Sequence, residues 1–187
     1  SLFLAGMTAC GLLLFTVLTA YLLARRPGKL ASIITGLIEI PYALPGIVLA
    51  VAFILLFAAP LPLVNVSIYG TIWIILIAYF SSFFAVSLKP VASAFLQLDP
   101  SLEEAARLSG AGFGRRMRDI LVPLIAPAAG ASVILVFLIA CSELTVSALL
   151  WSAGTQTLGV AIFNLDDSGS SALASALSVL VVLMVVI

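Results

Sequence analysis

Asp99-Pro100-Ser101-Leu102-Glu103-Glu104-Ala105-Ala106-Arg107-Leu108-Ser109-Gly110, continuing through Ala111-Gly112-Phe113-Gly114-Arg115-Arg116-Met117-Arg118-Asp119-Ile120-Leu121-Val122 to Pro123, is a charged island between stretches apolar enough to cross a bilayer. A passive link needs only a few residues. An organised polar segment of this length predicts a docking surface for a partner. Asp99 before Pro100 supplies an N-cap and a first helical residue, and Ser101 with Glu104 offers a capping box instead; either starts a short helix near residue 100. Glu103 and Glu104 fall in its first turns, where the helix dipole favours acids, Arg107 comes later, and Gly110 is placed to end it in a left-handed conformation. A helix of two to three turns is marginal alone, so packing through Leu102, Ala105, Ala106 and Leu108 is expected to hold it. A second helical start at Arg115 leads through Met117, Ile120 and Leu121 to Pro123, where the chain re-enters the apolar phase.

The rest of the chain explains why the island stands out. Hydrophobic residues make up 64% and charged residues 9%, far from the quarter charged that a water-soluble domain carries. The chain therefore reads as an all-α polytopic membrane protein. Eight basic and eight acidic residues cancel, and no basic tract points to nucleic acid. Histidine is absent, and Cys10 and Cys141 stand alone in apolar runs, so no metal-ligand spacing or disulfide framework is present and both read as helix-packing residues.

Five apolar segments, 2–24, 30–58, 69–88, 124–150 and 172–187, read as five or more transmembrane helices. An opening serine and an apolar end predict truncation at both ends of a longer polypeptide. Arg25, Arg26 and Lys29 follow the first segment; Lys89, Arg107, Arg115, Arg116 and Arg118 lie in or beside the loop after the third. The loops 59–68 and 151–171 hold no lysine or arginine. By the positive-inside rule the island faces the cytoplasm and Asp166 and Asp167 face outside, solvated or touching a binding protein.

Glu104-Ala105-Ala106, followed by Gly110, Ile120 and Pro123, resembles the EAA loop of permease subunits in binding-protein-dependent ABC importers, with Val122 where leucine is usual. The resemblance implies that residues 99–123 form a cytoplasmic coupling loop. In it Glu103, Glu104, Ala105, Ala106, Gly110 and Arg115 would engage an ABC ATPase subunit dimer. It also implies that residues 1–187 are one transmembrane permease domain of a bacterial inner-membrane protein, paired with a second permease domain, separate or fused, and served by a periplasmic or extracellular substrate-binding protein. No Gly-x-x-x-x-Gly-Lys-Ser/Thr motif occurs, so ATP and Mg are expected on the partner, with no cofactor and no catalytic or metal residue in this chain.

Pro41-Tyr42-Ala43-Leu44-Pro45-Gly46 removes helix hydrogen bonds inside the second segment, and such a break is tolerated where protein or a water-lined cavity satisfies the freed groups. Pro41, Tyr42, Pro45 and Gly46 thus read as lining or hinging a pathway, or as a packing kink. Glu143, with Ser142 and Thr145, follows about 20 apolar residues, and facing hydrocarbon would cost it about 2.5 kcal/mol or more. It reads either as a pathway residue or as an interfacial carboxylate capping the turn near Thr145; Glu39 leaves the same two readings open. Trp73 and Trp151 near segment ends read as interface anchors.

The stretches 41–46 and 142–159 also resemble the ferric iron branch of the family, and permeases for thiamine, polyamines and 2-aminoethylphosphonate are similar. An ion-coupled secondary transporter would favour more intramembrane carboxylates and gives no reason for the island. An intramembrane enzyme lacks a histidine base.

Overall fold

The computed structural model describes residues 1–59 and 67–186, with side chains to residue 183. Every regular element among them is helical. The helices are α1 (Leu2–Arg25), α2 (Lys29–Ala43), α3 (Gly46–Phe57), α4 (Ile72–Gln97), α5 (Ser101–Leu108), α6 (Phe113–Arg116), α7 (Val122–Ser142), α8 (Ser147–Leu150), α9 (Leu158–Asp167) and α10 (Ser171–Val186); a π-helical stretch, Met117–Leu121, joins α6 to α7. Most of the expected loop 59–68 lies outside the described residues.

Three apolar helices are long enough to span a membrane: Leu2–Arg25, Ile72–Gln97 and the run Phe113–Ser142. The bent pair α2–α3 makes a fourth if it counts as one span. The sixteen described residues of α10 are apolar and extend about 24 Å at 1.5 Å per residue. By length and composition the described residues supply three or four spans.

Three differences from the expected boundaries have local causes. The third segment continues past residue 88 through Lys89 and Pro90 to Gln97, because Leu88, Val91 and Phe95 keep a buried stripe going at helical spacing. The second helical start precedes Arg115, and Pro123 is no boundary, since helix runs unbroken from Phe113 to Ser142. Pro123 lacks an N–H and its ring crowds the carbonyl four residues back. The π turn takes up that strain, with the Val122 N–H reaching five residues back to the Met117 carbonyl. The fourth segment, expected to run to 150, stops at Ser142, where Glu143 turns extended (φ −69°, ψ 124°).

α1, α4 and α7 pack around two apolar clusters. Leu4, Ala9, Leu12, Ile75, Tyr79 and Val136 anchor one, and Ala20, Leu88, Val91, Phe95, Leu121 and Ile125 the other. Between them lies a buried polar knot. The Ser132 hydroxyl donates to the Ser87 carbonyl at 2.9 Å, Oγ of Ser87 and Ser132 are 2.9 Å apart, and Ser87 reaches Thr16 at 3.3 Å. Small and hydroxylated residues on facing helices permit close approach and cross-helix hydrogen bonds where hydrophobic driving force between helices is absent. Cys141 is buried as expected, but Cys10 is exposed on α1.

Candidate functional site: the pinned helix and the broken helix

The charged island folds as α5 with a well-formed start and stop. The Asp99 carboxylate accepts the Ser101 N–H at 2.9 Å, so the aspartate takes the capping role and the Ser101–Glu104 box does not form. Hydrogen bonding from Ser101 holds the Asp99 carboxyl below its ordinary value. At the other end Gly110 adopts φ +77°, its N–H donates to the Arg107 carbonyl at 2.9 Å, and the Ala111 N–H donates to the Ala106 carbonyl at 3.0 Å. These two bonds close the helix in a Schellman turn, for which an L side chain at position 110 is strained.

The two adjacent glutamates face opposite ways. Glu103 is buried: Oε1 accepts from Arg25 Nε at 2.6 Å, Oε2 accepts from the Tyr21 hydroxyl at 3.0 Å, and Arg116 and Arg107 approach Oε2 at 3.9 and 4.0 Å. Glu104 and Ala105 are exposed, Ala106 is half-buried, and Leu102 and Leu108 present 43% and 90% of their surface. The Glu103 ion cluster, rather than the apolar side chains expected to do so, fastens α5, and Leu108 stays almost wholly exposed. Arg115 is also exposed, 3.7 Å from Asp119 and one turn away from it. Sequence reasoning used Arg25 and Arg116 only for orientation and did not weigh Tyr21. The available signal was an acid at 103 amid arginines at 25, 107 and 116, a balance that only the fold makes local.

The second constellation forms where α2 ends. Leu44, the residue before Pro45, is extended (φ −80°, ψ 141°), as the proline ring demands. The axes of α2 and α3 differ by 104° across this break, so the segment is interrupted outright rather than loosened, while Pro41 stays inside α2. A cavity of about 360 Å³ opens there, lined by Pro41, Tyr42, Gly46, Glu143 and Thr145 together with Ser82 and Phe83 of α4, neither of which the sequence singled out. A Cβ on Gly46 would sit 3.1 Å from Thr145 Cγ2, so glycine allows the two segments to meet. Pro45 makes the turn without lining the cavity, and Ser142 lines a different one, its hydroxyl donating back to the Leu138 carbonyl at 3.1 Å.

Glu143 has a structural task. Its carboxylate accepts the Val146 N–H at 2.7 Å, the Ser147 N–H at 3.1 Å and the Ser147 hydroxyl at 3.1 Å, capping α8. That is the capping alternative, although the same side chain borders the cavity. Glu39 is exposed beside Lys89 at 3.9 Å. Asp166 and Asp167, expected in a loop, occupy the last turn of α9, since Thr157 caps that helix and Gly169 (φ +81°) closes it only after them.

Residues 13–187 match the family described as binding-protein-dependent transport system inner membrane component. The chain belongs to this family. It is 34% identical over 126 residues to a probable ABC transporter permease protein, y4fN, of Sinorhizobium fredii, covering 67% of this chain and 22% of that protein. It is 28% identical over 144 residues to a putative 2-aminoethylphosphonate transport system permease protein, PhnV, of Salmonella typhimurium (76% of this chain, 52% of that protein). It is 29% identical over 194 residues to the maltose/maltodextrin transport system permease protein MalG of Escherichia coli K12 (96% and 64%). The chain thus spans between about a fifth and two thirds of the length of these relatives.

Proposed function

We propose that this chain is the permease core of an ATP-driven importer in a bacterial inner membrane, with α5 as its cytoplasmic coupling helix. The observation that carries the reading is the division of α5 into two faces. Glu103 ties one face to the ends of α1 and α6, so force on the helix is transmitted into the bundle. Leu102, Glu104, Ala105 and Leu108 remain open on the helix for an ATPase subunit, with Gly110 fixing where the helix ends and Arg115 exposed beyond it. ATP and Mg belong to a dimer of that partner. A second permease domain completes the pathway, and a binding protein delivers cargo from the other side of the membrane.

The α2–α3 break, packed against Thr145 through Gly46 and opening on the Glu143 cavity, is the element we assign to passage or hinging. For cargo, the resemblance of residues 41–46 and 142–159 favours ferric iron. The PhnV relative makes 2-aminoethylphosphonate the first rival, ahead of thiamine and polyamines. An ion-gradient transporter leaves the exposed face of α5 without a purpose.

Reconstitution of the full-length protein with its ATPase subunit and binding protein tests both levels. ATP hydrolysis stimulated by ferric-loaded but not empty binding protein supports importer and cargo. Stimulation by 2-aminoethylphosphonate in its place keeps the importer and replaces the cargo; failure to assemble with any ATPase overturns the reading.

A further inference from the structure

At the end of the bundle where α1, α5 and α6 meet, a cavity of about 490 Å³ is lined by Arg25, Arg26, Arg107 and Arg116, with Tyr21 and Phe113 as an aromatic edge. Four arginines line this space, and no acidic side chain does. Glu103 stands behind it and engages three of the four, and Asp99 acts on Arg25, so four positive charges outnumber the two negative ones near them.

Arg116 supplies a second, independent observation. Its side chain is 9% exposed, yet Nε and Nη1 have no hydrogen-bond partner among the described residues, and Nη1 lies 3.9 Å from Glu103, beyond hydrogen-bond reach. Buried donors are almost always satisfied, so two unpaired nitrogens on one buried guanidinium are costly, and Arg116 lies against the arginine-lined space without a full set of partners. The guanidinium geometry matches the paired oxygens of a phosphate group, and arginine is favoured over lysine where that group is held bidentately.

We propose that this cavity is a binding site for a phosphate-bearing anion, with Arg26 and Arg107 as the clamp that meets it and Arg116 at its buried base. Arg25 is partly committed to Glu103 and positions the pair. The ligand is a phosphate group, carried either by an anionic lipid at the membrane surface or by a soluble phosphate compound; basic pockets between spanning helices hold lipid headgroups by the same contacts. Leu22 and Phe113, both about half exposed, give the rim an apolar side. Because the site joins α1 to α5, its occupancy would stiffen α5 against the bundle.

The test is thermal unfolding of delipidated full-length protein in detergent, at constant ionic strength set with chloride. The additions are inorganic phosphate, phosphatidylglycerol, or phosphatidylcholine as control. Saturable stabilisation by phosphate identifies a soluble ligand, and saturable stabilisation by phosphatidylglycerol alone identifies a lipid headgroup. In either case the apparent affinity is expected to fall at least tenfold in the double variant Arg26→Gln/Arg107→Gln, whose side chains are exposed and whose loss leaves the Arg25–Glu103 pair intact. Arg116→Lys, which keeps the buried charge but loses the planar guanidinium at the base of the cavity, is expected to weaken binding similarly. An unchanged response in the double variant, or none to either additive in the wild-type protein, overturns the site.

Discussion

Arg25 and Glu103, 78 residues apart in sequence, meet with Nε 2.6 Å from Oε1, so the end of the first long helix is fastened to the short helix of the charged island. Glu103 is 5% exposed at its side chain and Arg25 is 18% exposed, which places the pair in a regime where removing one partner strands the other. The contact converts a surface helix too short to be stable alone into part of the bundle.

Glu103→Ala leaves Arg25 and Arg116 facing each other without the carboxylate between them. Breaking a buried pair in this way costs about 3–5 kcal/mol. Chemical unfolding of the full-length protein checks the loss, and a double-mutant cycle of Arg25→Ala with Glu103→Ala is expected to show coupling of about 1–3 kcal/mol. Additive effects would mean that the pair holds nothing together.

Some of this was legible in the residues and some was not, for reasons of range. Local chemistry decided α5: Asp99 before Pro100 starts it and Gly110 stops it, and both are interactions within five residues. Hydropathy decided the three long helices. Hydropathy does not see that Glu143 captures the N–H groups of Val146 and Ser147 and ends α7 inside an apolar run, nor that a π turn lets Pro123 sit within a continuous helix. Which of two neighbouring glutamates turns inward depends on Tyr21, Arg25 and Arg116, brought to position 103 only by packing of α1 and α6.

Gly110 at φ +77° predicts a graded series. Gly110→Ala strains the Schellman turn by about 1–2 kcal/mol. Gly110→Pro cannot adopt a positive φ and also removes the N–H that reaches Arg107. In cells expressing the full-length protein, Gly110→Pro and Glu104→Lys are expected to abolish uptake while the protein still inserts in the membrane, as measured by transport and by membrane fractionation. Normal uptake in both variants would remove the docking role.

Glu143→Ala deletes the acceptor for two backbone N–H groups at the start of α8. A lost cap costs about 1–2 kcal/mol. Glu143→Gln retains one carbonyl oxygen and is expected to cost about half as much. Unfolding of both variants separates them; equal losses would show that charge, rather than capping, is what Glu143 contributes to stability.

Ser132→Ala removes the donor to the Ser87 carbonyl and one partner of the Ser87 hydroxyl in the centre of the α1–α4–α7 packing. Cross-helix hydrogen bonds of this kind contribute about 0.6–1.7 kcal/mol. Ser87→Ala added to it is expected to cost less than the sum, because the two hydroxyls share the bond. Thermal unfolding of the single and double variants in detergent reads the difference.

Tyr79 is fully buried in α4, and its hydroxyl lies beside Ser147 and Glu143 without a well-formed hydrogen bond to either. Tyr79→Phe removes a poorly bonded hydroxyl from beside Ser147 and Glu143 without changing the ring that packs on Phe83. Stability equal to or above that of the parent is expected in the same unfolding assay. A loss above about 1 kcal/mol would show that the hydroxyl is bonded.

The central claim is that the exposed face of α5 meets an ATPase subunit. Cys10 and Cys141 are the two cysteines of this sequence; a full-length protein with these and any others changed to serine can carry one new cysteine at Leu108, 90% exposed on α5, or at Tyr69, just before the far end of α4. The measurement is disulfide or short-linker cross-linking to the ATPase subunit in the assembled complex. The account predicts an adduct from Leu108→Cys that changes with ATP, and none from Tyr69→Cys; an assembled complex that cross-links through neither, or through Tyr69→Cys alone, would contradict it.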